Sequence, residues 1–236
     1  MGAPSPGRTT VLVTGTDTGV GKTWAGCALA HALRAVGRRV IAVKPVESGC
    51  GDSGAEPAAG EDGERLAAAT GQAAPRRALR RFRAAIAPAA AADLESGNPS
   101  EAAGTLELDQ IAAEIEAAAG DADVLLVEGA GGLLSPMAWD WTAVDLARTL
   151  DASALVIASD RLGTINHTLL TLSALDLAGV RVAGVVLSAP AAPDASTGGN
   201  AAAIMRLSGI DRVRAVPRVD DPAAAAEWFG EVVSWL

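Results

Sequence analysis

The sequence predicts an α/β protein, a single doubly wound and mostly parallel sheet with helices on both faces, running as one domain over residues 1–236. Three observations carry that expectation. Short, continuously apolar runs alternate with stretches of helical period, the pattern of strands buried on both sides. Gly, Pro or acidic residues punctuate the end of almost every run. No internal repeat and no linker long enough to divide the chain interrupts the alternation.

Thr10–Gly15 (TVLVTG) reads as the first buried strand, and Thr23–Val36 as a helix stopped by Gly37. Arg39–Val43 is a second strand, closed by Lys44-Pro45, and Gly49–Gly60 is a loop by composition. Asp62–Thr70 reads as a short helix ending at Gly71, and the basic run Arg76–Arg83 as a solvated face. Ala84–Ala92, nearly all alanine broken by Pro88, has no assignment. Leu108–Ala119 carries Leu108, Ile111, Ala112 and Ile115 at helical spacing, and Val124–Val127 is the third strand. Helix Thr142–Leu150, strand Ala154–Ala158, helix Thr164–Ala178 and strand Val180–Leu187 follow. Helix Ala201–Leu207, strand Val213–Val216 and a last helix from about Pro222 to Trp235 complete the expected order.

Composition narrows the function classes. No apolar run approaches the ~18 residues of a membrane span, and the start MGAPSPGRTT has no apolar secretory core. A net charge of −9 argues against a nucleic-acid footprint. Cys27 and Cys50 have no metal-ligand spacing and suit a reducing interior. A cytoplasmic protein with no nucleic-acid or membrane partner is expected. Of 19 basic residues, only Lys22 and Lys44 are lysines. A chain so biased towards arginine keeps lysine where a compact ammonium on a flexible stem is needed.

The strongest motif is Gly15-Thr-Asp-Thr-Gly-Val-Gly21-Lys22-Thr23, set between a strand and a helix. That is the context of a phosphate-binding loop. Backbone N–H groups cradle phosphates, the lysine reaches the terminal ones, and the threonine hydroxyl meets Mg²⁺. Five residues separate Gly15 from Gly21 where the usual pattern has four, so the loop is a variant. Two strand ends offer an acid for the metal, Glu128 and Asp160. Glu128 is favoured, because the small residues Gly129, Ala130, Gly131 and Gly132 let backbone approach a ligand. Asp62 at a helix start is a possible second carboxylate. Asp160-Arg-Leu-Gly163 matches a short GTP-switch pattern, but neither lysine follows an Asn, so a guanine reader is lacking. Lys44 ends a strand at the sheet edge where open α/β sheets bind ligands, with the Ser48 hydroxyl nearby. Gly163-Thr164-Ile165-Asn166 opens a helix whose free N–H groups suit a carboxylate, whereas His167 reads as structural.

GTDTGVGKT, KPVESG, VEGAGGLL and LGTINHTLLT occur in this order, and in this the chain resembles the dethiobiotin synthetase family of P-loop NTPase-like enzymes from Thr10 to about Pro217. The resemblance implies a homodimeric cyclo-ligase. From 7,8-diaminononanoate, CO₂ and ATP, or another nucleoside triphosphate, it would form the ureido ring of dethiobiotin through a carbamate and a carbamic–phosphoric anhydride. It implies catalytic roles for Thr18, Lys22 and Lys44, and Mg²⁺ held by Thr23, Asp62 and Glu128. Gly19, Val20, Gly21, Lys22, Thr23 and Trp24 would bind nucleotide, with Asp62, Glu128, Gly129, Ala130 and Gly131. Pro217, Arg218 and Val219 would border the base. Ser188-Ala189 stands where many members carry an adenine-reading Asn-Asp. Ser48 and Lys44 would meet the diamine, and Gly163, Thr164, Ile165 and Asn166 would hold its carboxylate tail across the subunit interface. Two alternatives remain. One is a ParA/MinD-like switch ATPase, disfavoured because Thr16-Asp17-Thr18 lacks the extra loop lysine of that group. The other is a same-fold enzyme acting on another small molecule.

Overall fold

The computed structural model describes residues 7–51, 60–97, 104 and 106–236. Most of the loop expected at 49–60 lies outside them. Six parallel strands form the central sheet: β1 (Thr9–Gly15), β2 (Val40–Val43), β5 (Val124–Glu128), β8 (Ser153–Ser159), β9 (Val182–Ser188) and β10 (Val213–Val216), in the order β10-β9-β8-β1-β5-β2. β1 is central, in register with β5 through Val13↔Glu128 and with β8 through Gly15↔Ile157. The chain first crosses from β1 to the β2 edge, later inserts β5 between them, and then builds outward from the other side of β1. This reversal opens a crevice at the carboxyl ends of β1, β5 and β8.

The pleat divides the apolar side chains between two layers. Val11, Val13, Leu126, Leu155 and Ile157 pack on the face covered by α1 (Lys22–Ala35), α2 (Asp62–Thr70) and the C-terminal segment. Leu12, Leu125, Val127 and Val156 pack on the opposite face with Ile111 and Ile115 of α4 (Leu108–Ala119), Leu146 of α5 (Ala143–Thr149), Leu175 of α6 (Thr164–Leu177) and Ile204 of α7 (Asn200–Ser208). The doubly wound sheet expected from the apolar runs is the observed one, with strand bounds that move by one or two residues.

Several local expectations need correction. Only the ends of Arg76–Arg83, Arg76 and Arg83, are exposed; the run between them is not a solvated face. Arg80–Phe82 forms β4, which pairs in parallel with β3 (Val46–Ser48), Glu47 opposite Arg81. Arg80 binds Glu114, Arg81 binds Glu61 and Arg77 binds Glu64, so acids on neighbouring helices absorb the charge. The unassigned alanine run becomes α3 (Pro88–Ser96), because Pro88 occupies the first turn, where its missing N–H costs nothing. Pro136–Ala138 and Trp141–Thr142 form a small antiparallel pair, β6 and β7. The single terminal helix expected from Pro222 to Trp235 is instead α8 (Pro222–Ala225), a 3₁₀ turn (Ala226–Phe229) and α9 (Gly230–Val233). The tightened turn seats Phe229 and Val232, both fully buried, against α1. Among the described residues, no helix is long and apolar enough to cross a membrane.

Candidate active site

The β1–α1 turn has the backbone form of a phosphate-binding cradle. Gly19 and Gly21 adopt positive φ (74° and 98°), which glycine reaches without steric cost and which suits an anion-binding loop of backbone amides. Gly15 is needed for space, since a Cβ there would lie 2.8 Å from the Val20 side chain. Lys22 reaches back over the loop and donates to the Asp17 carbonyl at 2.9 Å. Burial, with the Lys44 charge adding to it, lowers its pKa to about 8. A lysine under that strain gains from an anionic ligand that stabilises its charged form.

Beside the cradle, four elements (α1, α2, β5 and the end of β2) converge on one cluster. Thr23, in the first turn of α1, donates from Oγ1 to Glu128 Oε1 at 2.8 Å. Glu128 is carried there by β5. Lys44, just past β2, donates to Glu128 Oε1 at 2.6 Å, to Asp62 Oδ2 at 2.9 Å and to the Gly129 carbonyl at 3.2 Å. Burial works against the Lys44 charge, but the Glu128 and Asp62 carboxylates outweigh it and hold the ammonium well above its ordinary pKa. Asp62 shows the reciprocal effect, burial opposing its charge and Lys44 prevailing, so its carboxyl sits below the usual range. Buried charges are costly and seldom kept for stability, so a dense cluster in a crevice points to chemistry.

Glu128 Oε2 is buried and has no partner among the protein atoms. With Thr23 Oγ1 and Asp62 alongside, it forms an all-oxygen donor set of the kind hard divalent cations prefer. The residues therefore fit Mg²⁺. The competing acid Asp160 is committed elsewhere, accepting from Gly198 N at 2.8 Å and Asn200 Nδ2 at 2.7 Å.

Two cavities flank the cradle. One, of about 540 Å³, is lined by Thr18, Lys22, Lys44, Ser48, Asp62, Ala130 and Gly131. Thr23 lines it as well, and Glu128 lies behind it, bonded to Thr23 and Lys44. Ser48 Oγ is buried in its wall without a partner. The other, of about 650 Å³, is lined by Trp24, Ser188, Ala189, Pro217, Arg218 and Val219, with Gly19, Val20 and Gly21 at its inner end. Trp24 Nε1 donates to the Val219 carbonyl at 2.7 Å. Ser188 turns inward, donating to the Val20 carbonyl at 2.7 Å, and thereby braces the loop. Gly129 is used by its backbone, its N–H bonding the Val13 carbonyl.

Gly163, Thr164, Ile165 and Asn166 line neither cavity of their own chain; they form the start of α6, where Gly163 caps at φ 93°. His167 is exposed on the same helix. Glu47, which is not among the residues expected from the sequence, sits in this region with its carboxylate on the amides of Asp62 and Gly63. Nothing in the local pattern Val46-Glu47-Ser48 marks it, because its partners are backbone amides of another element.

Residues 9–226 match a protein family described as an AAA domain. The ATP-dependent dethiobiotin synthetase BioD of Anaeromyxobacter dehalogenans (strain 2CP-C) is 40% identical over 227 residues, covering 95% of this chain and 96% of that protein. The corresponding protein of Aquifex aeolicus is 36% identical, covering 89% and 90%. Among solved structures, the cell division ATPase MinD of Pyrococcus furiosus superposes with a TM-score of 0.60 at 17% identity, over 97% of this chain and 98% of that one. At that identity the likeness speaks for the fold alone.

Proposed function

The chain belongs to the dethiobiotin synthetase family, ATP-dependent ligases of biotin biosynthesis, and we propose that it closes the ureido ring of dethiobiotin from 7,8-diaminononanoate, CO₂ and ATP. The observation that supports this reading best is Lys44, a buried ammonium held between the carboxylates of Asp62 and Glu128 within one cavity that also contains the phosphate cradle.

One amine of the diamine adds to CO₂, losing a proton, to give a carbamate. A carbamate oxygen then attacks the γ-phosphorus, and the nucleoside diphosphate leaves. The second amine attacks the carbonyl carbon of the resulting carbamic–phosphoric anhydride, the C–O bond to phosphate breaks, and the ring closes with loss of a proton. Both the carbamate and the triphosphate are anions, so bringing them together requires fixed cations, and phosphoryl transfer rests on positioning and charge stabilisation. Lys22 faces the phosphates from α1, and Lys44 faces the carbamate from the end of β2. Ser48, whose hydroxyl has no protein partner, and Thr18 in the lining of the same cavity orient the reacting end. Thr23, Asp62 and Glu128 would hold Mg²⁺, which neutralises phosphate charge when bound. The cavity beside Trp24 and Val219 accepts the base of ATP or of another nucleoside triphosphate.

The protein functions as a homodimer in this reading. The start of α6 lines neither of the two cavities of its own chain, and the backbone amides of its first turn suit the diamine carboxylate at the cavity of a second copy. The test is phosphate release with Mg²⁺ and bicarbonate, with and without 7,8-diaminononanoate, with ring product followed by mass. Release that requires the diamine and matches product one for one is expected. Release indifferent to the diamine overturns the assignment.

A further inference from the structure

Glu47 lies on β3 between Lys44 and Ser48 but makes neither of their contacts. Its carboxylate, 7% exposed, turns to the start of α2, where Oε1 accepts from Asp62 N at 2.6 Å and Oε2 from Gly63 N at 3.1 Å. Those are the first two orphan N–H groups of the helix. The residue in the sequence position for capping them, Glu61, makes no side-chain cap bond. Its carboxylate is spent instead on Arg81, at 2.5 and 3.0 Å, and on Gly51 N at 3.2 Å. α2 is thus capped from another element. Its opposite side is equally constrained, because a Cβ on Gly63 would lie 2.5 Å from Ala78 N and 2.7 Å from Arg77 C.

We propose that Glu47 is a positioning residue for the metal-site acid: by gripping the first two amides of α2 it fixes the Asp62 carboxylate opposite Lys44 and Thr23. The inference rests on the reading of Asp62 as a Mg²⁺ acid. A carboxylate suits the task, because its two oxygens serve two divergent donors and its charge complements the helix N-terminus. A glutamine at the same place has one acceptor, and its NH₂ group would face a backbone donor. β3 is itself tied through β4 and the Glu61–Arg81 pair to the same helix. Strand, helix and acid therefore form one closed circuit, and Lys44 lies on the chain two residues before β3 begins.

The test compares binding of a non-hydrolysable ATP analogue by calorimetry with Mg²⁺ and with EDTA, in wild type, Glu47→Gln, Asp62→Asn and the double variant. Loss of the grip is expected to weaken the Mg²⁺-promoted affinity about fivefold, the scale of one lost helix cap, and to leave the affinity in EDTA unchanged. In the Asp62→Asn background, Glu47→Gln is expected to change Mg²⁺-promoted affinity by less than about twofold, since both act through one carboxylate. Equal Mg²⁺ effects in wild type and Glu47→Gln overturn the assignment. So does equal weakening in Mg²⁺ and EDTA, or full additivity with Asp62→Asn. Should Glu47→Gln not fold, Glu47→Asp, one methylene short of the amides, carries the same expectations. No diamine enters this measurement, so its failure is distinct from a failure of diamine-dependent phosphate release.

Discussion

Lys44 has three N–H donors and meets three acceptors, on Asp62, Glu128 and Gly129. A compact tetrahedral ammonium satisfies that arrangement, and a planar guanidinium of greater length does not. Lys44→Arg therefore keeps the positive charge but misplaces it. We expect turnover to fall on the order of 100-fold, the scale of losing one fixed donor at a developing charge, with the unfolding midpoint close to wild type. Near-normal turnover would remove Lys44 from the reaction. Glu128 is the complementary case. Glu128→Gln keeps the acceptor for Thr23 but gives up the charge that faces Lys44. The Mg²⁺ concentration for half-maximal activity should rise roughly tenfold or more; an unchanged titration would place the cation away from Glu128. Both residues were legible from sequence, because a lysine and an acid at strand ends beside a glycine-rich loop are rare enough to be informative. Glu47 was not, because its partners are backbone amides brought close only by the path of α2.

Helix α2 shows why a short helix can carry as much function as the phosphate loop. Its nine residues deliver Asp62, and its first turn is held between Glu47 and the 77–78 backbone. Gly63→Ala places a methyl into that backbone, which cannot swing aside as a side-chain tip can. The start of α2 must move instead. Expected results are a loss of about 1–3 kcal/mol in unfolding free energy and a raised Mg²⁺ requirement; a wild-type metal titration would show that Asp62 does not depend on this turn. The six sheet strands and most helices could be read from the chain because each holds four or more residues of one period. β3, β4, β6 and β7 have only two or three residues each, too few for periodicity to register, and β4 is made of Arg-Arg-Phe, which reads as surface charge. Its partners Glu61 and Glu114 are supplied by the fold. Likewise Pro88 reads as a breaker within an alanine run, yet at the first helical turn it starts the helix.

The C-terminal segment buttresses from behind the wall proposed for the nucleotide base. Phe229 is fully buried and meets Trp24 edge-on, ring centroids 6.0 Å apart and planes at 62°. Trp24 in turn holds Val219, through Nε1, at the rim of the cavity proposed for the base. The tightened turn at Ala226–Phe229 is what brings the ring inward, so a break in the expected terminal helix has a structural purpose. Phe229→Ala leaves a void beneath α1 and frees the indole. We expect unfolding free energy to fall by about 3–5 kcal/mol, and nucleotide affinity to drop in protein that remains folded at low temperature. Mg²⁺ dependence should not change, since Thr23 and Asp62 line the other cavity and Glu128 is bonded to Thr23. A Phe229→Ala protein with lower stability but wild-type nucleotide affinity would show that Trp24 holds the wall unaided. One whose metal dependence moved instead would mean that the two cavities respond as a unit through α1, whose first turn carries Thr23 and Trp24 side by side.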